Sequence, residues 1–255
     1  MPDFFVRDQV VYFKDSMKPS SRTILFLHGA GGSHHTFRDQ WARLKGTARL
    51  IIPDLPGHAR SGGAPFETIP QAAGWLADFV KELGLKNFIL AGHSMGGAIA
   101  IEAALNEVPG IEALILISSG AKLKIHPEIV QGIQEQFREF APELVDRMLS
   151  HETSRDLRED VLQNILATQP ETYLADFRAC TGFDRRDRLG AIRLPALVVN
   201  GADDGITPLE YGVDLAKHIP GAVLKILHGT GHLPILERPT ELVAVITAFI
   251  HSLDA

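Results

Sequence analysis

Short runs of β-branched and apolar residues alternate along the chain with longer stretches in which apolar side chains recur every three or four positions. The short runs predict strands over Thr23 to Leu27, Leu50 to Ile52, Phe88 to Ala91, Ala113 to Ile117, Ala196 to Val199 and Val223 to Ile226. The longer stretches predict helices over Ile69 to Leu83, Gly96 to Val108, Leu209 to His218 and Glu241 to Leu253. That alternation is the signature of an α/β fold, a mostly parallel central sheet with helices on both faces. Phe4 to Phe13 reads as an antiparallel edge pair.

The rhythm breaks between Ala121 and Leu189, where helical stretches are punctuated at Pro127, Pro142 and Pro170. Ile129, Ile133, Gln136, Phe137 and Phe140 form one apolar stripe, and Val161, Leu162, Ile165 and Leu166 another. Residues 121–189 are therefore expected to be a helical lid inserted into a core made of 1–120 and 190–255. In open α/β sheets the ligand crevice lies outside the carboxyl edge of the strands, which such a lid would border.

Apolar residues make up 45% of the 255 positions and charged residues 22%, the balance of a globular protein with ample surface to bury. The formal charge of −6 gives no reason to bind nucleic acid, which asks for a clustered basic face. Arg185-Arg186-Asp187-Arg188 is interrupted by acid and reads as a solvated loop. A single cysteine, Cys180, excludes an internal disulfide, a redox pair and a cysteine zinc cluster, and its expected role is packing. No signal-peptide pattern opens the chain and no run reaches the about 18 apolar residues of a membrane span, so a cytoplasmic location is expected. Oligomeric state is invisible at this level.

Chemistry enters with Gly92-His93-Ser94-Met95-Gly96-Gly97, which directly follows one strand and precedes a helix. A serine on a sharp strand-to-helix turn is pushed out over the sheet, and small flanking residues are needed because bulkier ones would collide. The helix N-terminus below offers free N–H groups to developing negative charge. A serine hydroxyl is a poor nucleophile until a base removes its proton, and that base needs a carboxylate to hold its tautomer. Two loops at strand ends supply these groups: Gly201 to Pro208, with Asp203 and Asp204, and His228 to His232. The order serine, acid, histidine is the one this turn predicts.

The chain at this point resembles the α/β-hydrolase superfamily, in particular its small cofactor-free carboxylesterase and bromoperoxidase-like branch. The resemblance spans nearly the whole chain and rests on His28-Gly29-Ala30-Gly31-Gly32, Asp54-Leu55-Pro56-Gly57-His58-Ala59-Arg60-Ser61, the serine turn, Gly201 to Pro208, and Gly231-His232 with Glu237-Arg238-Pro239. It implies an α/β-hydrolase fold and catalysis by Ser94, Asp204 and His232. The family spacing from glycine to acid to proline selects Asp204, leaving Asp203 as a loop cap. It also implies the amides of Ala30 and Met95 as oxyanion donors, to which the neighbouring glycines allow close approach. No cofactor and no metal are expected, since the glycine loop has neither Lys-Ser/Thr nor the dinucleotide spacing. Ala59 departs from the family, which commonly has glycine there, and this bears on loop conformation. His28 is expected to bond locally and His93 to be a neighbour of the serine. His34 and His35 fit either a pocket wall or a solvated helix start.

A serine excludes the relatives that attack through aspartate. The expected function is hydrolysis of a small or medium carboxylic ester, a small-molecule substrate, through an acyl-enzyme. Phe137, Phe140, Leu144, Met148 and Leu149 are candidates for an apolar substrate wall or for lid core. Perhydrolysis, carbon–carbon bond hydrolysis, lactone or thioester cleavage, and slow-turnover ligand reception use the same machinery, and fold does not separate them.

Overall fold

A computed structural model describes residues 4–18, 20 and 22–254. The strands are β1 (Phe4–Val6), β2 (Gln9–Val11), β3 (Phe13–Asp15), β4 (Thr23–Leu27), β5 (Arg49–Pro53), β6 (Phe88–His93), β7 (Ile111–Ile117), β8 (Ala196–Gly201) and β9 (Val223–Leu227). The α-helices are α1 (Arg38–Leu44), α2 (Ile69–Glu82), α3 (Met95–Leu105), α4 (Pro127–Met148), α5 (Arg155–Ala167), α6 (Pro170–Thr181), α7 (Leu209–His218), α8 (Pro234–Glu237) and α9 (Pro239–Ser252). Each of the six predicted strands and four predicted helices is present, with ends shifted by a few residues.

The main sheet runs β3-β5-β4-β6-β7-β8-β9 and is parallel throughout except for β3, which pairs antiparallel with β5. Its core is split by the two-residue period of the strands. Leu25, Leu27, Leu90, Leu114, Leu116 and Val198 pack one face with residues of α2, α3 and α7. Ile24, Phe26, Ile89, Ile115, Ile117 and Val199 pack the other with residues of α1, α4 and α9. Strands so buried on both sides have no polar alternation, which is why they read as apolar runs.

The chain leaves β4 for β5 on one side, then returns to β6 on the other, so the strand order reverses at β4 and β6. This switch point opens a crevice beyond the carboxyl ends of the two strands. The loop Gly29–Gly32 leaves one of them and the turn at Ser94 leaves the other.

Three expectations change. Phe4 to Phe13 is not one edge pair: β1 and β2 form their own two-stranded sheet, and Phe13 begins β3 on the edge of the main sheet. The two-residue link Arg7-Asp8 has φ of 49° and 62°, the left-handed pair that closes a tight hairpin. Pro127 and Pro170 sit in the first turns of α4 and α6, where a missing N–H costs nothing, whereas Pro142 lies inside α4. Upstream of it α4 is broken at Gln136 (φ −153°, ψ 53°). The break changes the helical phase, so Gln136 leaves the expected stripe and is exposed, and burial continues through Phe140, Ala141, Leu144 and Val145.

Candidate active site

Ser94 sits between β6 and α3 with φ 52° and ψ −117°, a conformation costly for a residue with a side chain. Its surroundings hold it there. Its N–H donates to the Ile117 carbonyl at 2.9 Å, and its carbonyl accepts from Ser119 Oγ at 2.7 Å. A methyl on Gly92 would lie 2.2 Å from the Gly96 carbonyl oxygen, and one on Gly96 would lie 2.2 Å from that of Leu27. The tight turn thus depends on both glycines. Met95 is the first residue of α3, where the N–H has no carbonyl four residues back within the helix.

The second loop carries Asp204, the expected acid. Asp204 is buried and its carboxylate meets His232 Nδ1 at 2.9 Å through Oδ2 and 3.1 Å through Oδ1. The amides of Ile206 and Thr207 donate to Oδ1 at 2.9 and 2.8 Å, and Thr207 Oγ1 donates to Oδ2 at 2.8 Å. Burial works against the charge on Asp204, but His232 and the Thr207 donors outweigh it and hold the carboxyl below its ordinary pKa. Asp203 turns outward, and its Oδ2 accepts from Ser150 Oγ at 2.7 Å.

His232 is held by several contacts. Its N–H donates to the Met148 carbonyl at 2.6 Å, and its carbonyl accepts from His93 Nε2 at 2.8 Å. Glu237 braces the loop on either side of it, accepting from the amides of Gly231 at 3.0 Å and Leu233 at 3.1 Å through Oε1, and from Ser150 N–H at 2.9 Å through Oε2. Burial pushes the His93 pKa down to about 3, with the nearby His232 adding to the effect, so His93 stays a neutral donor.

The third contributor is the glycine-rich loop. Gly32 N–H donates to the Gly29 carbonyl at 3.0 Å, closing a turn with Ala30 and Gly31 at its centre, and Gly31 takes φ +63°. Positive φ at the third turn position is the type II pattern, for which glycine is suited. His28 Nδ1 donates to the Gly29 carbonyl at 2.8 Å while its Nε2 accepts from the Leu55 amide at 3.0 Å. That pairing requires a neutral ring, and burial pushes its pKa down to about 3. His34 takes neither expected place: it is buried away from the cavity lining, and its N–H and Nδ1 meet Asp54 Oδ1 at 2.7 and 2.8 Å, tying this loop to the one after β5.

These loops surround one cavity of ≈ 560 Å³. Ser94, His232, Ala30 and Gly29 lie on its floor side, and α4, α5 and α6 contribute Ile129, Leu144, Met148, Val161, Ile165 and Tyr173. His35 and Cys180 are also in its wall. Of the five apolar residues singled out on α4 and its end, Leu144 and Met148 face the cavity. Phe140 and Leu149 are buried in the adjoining core, and Phe137 packs against Tyr173 at 5.8 Å between ring centres. Sequence reasoning missed the parts played by Thr207 and Glu237. Both stood in motifs that had been singled out, but nothing in their spacing announces a bond to a carboxylate or to loop amides.

A family profile described as the alpha/beta hydrolase family matches residues 24–245. The AB hydrolase superfamily protein YisY of Bacillus subtilis is 31% identical over 250 residues, covering 91% of this chain and 92% of that protein. The pimeloyl-[acyl-carrier protein] methyl ester esterase of Proteus mirabilis is 27% identical over 234 residues, covering 86% and 88%. Among solved structures, a thermophilic esterase from Thermogutta terrifontis superposes with a TM-score of 0.86 at 26% identity, covering 97% of this chain and 95% of that one.

Proposed function

Since the chain belongs to the alpha/beta hydrolase family, we propose that it is a serine hydrolase that cleaves a small or medium carboxylic ester through an acyl-enzyme. The observation that carries this reading is the buried Asp204–His232 pair, at 2.9 Å, opening on the same cavity as Ser94 on its strained turn. With Nδ1 donating to Asp204, His232 keeps Nε2 unprotonated and able to take the Ser94 proton. The Ser94 oxygen then bonds to the ester carbonyl carbon, and the negative charge that forms on the carbonyl oxygen is received by the amides of Ala30 and Met95. Collapse expels the alcohol, which leaves with the proton held by His232. Water, deprotonated by the same ring, releases the acid and restores Ser94. Asp204 stays ionised throughout, stabilising the transient imidazolium.

Residues 121–189 act in this reading as a lid, and 1–120 with 190–255 as the core. Helices α4, α5 and α6 give the cavity an apolar wall suited to an acyl or alcohol chain. The esterases among the similar proteins support ester cleavage. The test is a series of p-nitrophenyl esters from acetate to laurate, run beside a lactone and beside peracid formation from a carboxylic acid and hydrogen peroxide. Ester kcat/KM at least tenfold above both supports the reading; a preference for either rival reaction overturns it.

A further inference from the structure

The turn that carries Ala30 does not stand alone. Both polar groups of Gly31, the next residue, are taken up by the helical segment. Gly31 N–H donates to Asp176 Oδ2 on α6 at 2.8 Å, and its carbonyl accepts from Thr168 Oγ1, just past α5, at 3.0 Å. The fit leaves no slack: a methyl on Gly31 would lie 2.1 Å from the ring of Tyr173 on α6. The same Asp176 oxygen accepts from His58 Nε2 at 2.9 Å, while His58 Nδ1 donates to the Pro56 carbonyl at 3.0 Å. Asp176 and His58 are almost fully buried. An imidazole whose two nitrogens both face acceptors is an imidazolium, so this is a buried ion pair that pins α6 to the loops after β4 and β5.

Resting on the hydrolase reading above, we propose that Asp176 and Thr168 are positioning residues: by holding both polar groups of Gly31, they keep the oxyanion turn in its working shape only while the helical segment is seated. Seating of α5 and α6 and assembly of the oxyanion site are then one event. A lid displaced by a poorly fitting ligand leaves Gly31 without two partners, and a turn with a glycine at its third position is free to move its central peptide.

His58 supplies a further readout. Burial works against its charge, but the hydrogen bond and charge of Asp176 outweigh it, and its pKa stands above the ordinary histidine value. The charged or titratable groups around it are Asp176 on α6, Asp54 after β5, and His28 after β4, whose ring centre lies 4.8 Å away. Tyr173 and Cys180, also on α6, are kept neutral by burial.

The experiment uses the full chain with Thr168→Val, Thr168→Ser and Asp176→Asn. Three quantities are read: amide hydrogen exchange in the segment 28–33, kcat and KM for a p-nitrophenyl ester, and inhibition by a trifluoromethyl ketone, whose hemiketal oxygen occupies the oxyanion site. Thr168→Val is nearly isosteric and tests the contact even if Asp176→Asn folds poorly. It is expected to speed exchange in that segment, lower kcat about tenfold with KM within twofold, and weaken the ketone about tenfold, a fraction of the loss from deleting a donor. Thr168→Ser should restore all three. Loss of the His58 proton at alkaline pH breaks the ion pair with Asp176 and is expected to lower kcat; Asp176→Asn removes the charge that holds that proton, so this fall should move to lower pH. Faster exchange with unchanged kcat and ketone affinity would overturn the positioning role; unchanged exchange would overturn the clamp itself. Failure of the wild type to turn over any ester would count against the hydrolase reading, and the exchange data would still score the clamp.

Discussion

The choice between the two adjacent acids gives the sharpest prediction. In Asp204→Asn the side chain keeps its shape but exchanges one oxygen for an NH2 group. Oδ1 accepts from two backbone amides, at 2.9 and 2.8 Å, so the remaining oxygen must stay on that side. The NH2 then faces His232 Nδ1, 2.9 Å away, and two donors cannot share that contact. The ring answers by moving its proton to Nε2, which is the nitrogen required to be free. Loss of the correct tautomer costs about 10⁴-fold in kcat, or about 5.5 kcal/mol of transition-state stabilisation. Asp203→Asn retains an acceptor for Ser150 Oγ at an exposed position, and a surface change of that kind stays within about 0.5 kcal/mol, roughly twofold in rate. The assay is kcat/KM on p-nitrophenyl butyrate for both variants, with circular dichroism as the control for folding. A ratio near one, or the reverse ranking, would refute the assignment and the tautomer argument together.

Other consequences can be measured independently. Ala59 has φ +44°, so Ala59→Gly should gain roughly 0.5–1 kcal/mol, the left-handed penalty less the chain entropy of glycine; a lower urea midpoint would contradict this. Gly96→Ala drives a methyl to 2.2 Å from the Leu27 carbonyl oxygen, where no flexible side chain can yield, and should cost about 3 kcal/mol along with turnover. His28 and His93 are held neutral by burial, each with its pKa lowered to about 3. Below pH ~6.5 the unfolded chain takes up protons that the fold refuses, so stability present above that pH is lost as it falls toward 3, by about 2 kcal/mol per histidine at pH 5. His58, with its raised pKa, contributes stability that is full below pH ~6.5 and is lost as pH rises through its folded pKa, so it favours pH 5 over pH 7.5 and offsets part of the difference between them. Urea unfolding at pH 7.5 and pH 5 reads the difference, and equal or greater stability at pH 5 would contradict it.

How far the fold was legible follows from where the information lies. β4, β6, β7 and β8 were readable because both faces are buried, so nearly every position is apolar, Thr23, His93, Glu112 and Asn200 aside, and the run stands out between polar loops. β3 was not, because its edge position leaves Phe13, Lys14 and Asp15 all half-exposed and its partner across the sheet is more than thirty residues distant. The helices α4, α5 and α6 between β7 and β8 were readable as helices, but the shift of phase at Gln136 was invisible, since nothing local marks a break six residues ahead of Pro142. Ser94, Asp204 and His232 could be singled out as candidates because each sits in a loop with glycine spacing of its own. The ion pair of His58 with Asp176 could not: its members are 118 positions apart, and a histidine or an aspartate alone in a helical or loop segment carries no sign of a partner. Nor could the contact of His93 with the His232 carbonyl be read, since it depends on two strands' ends being brought together.

The central claim is that Ser94 is the nucleophile of an ester hydrolase. Its most direct measurement is labelling by a serine-directed fluorophosphonate, located by mass spectrometry, beside ester turnover by the wild type and Ser94→Ala. The account predicts one phosphonylated residue, Ser94, and a fall in kcat of several orders of magnitude in the folded variant, leaving the rate that binding and the oxyanion site alone sustain. Label on another residue, or most of the activity surviving in Ser94→Ala, would contradict it.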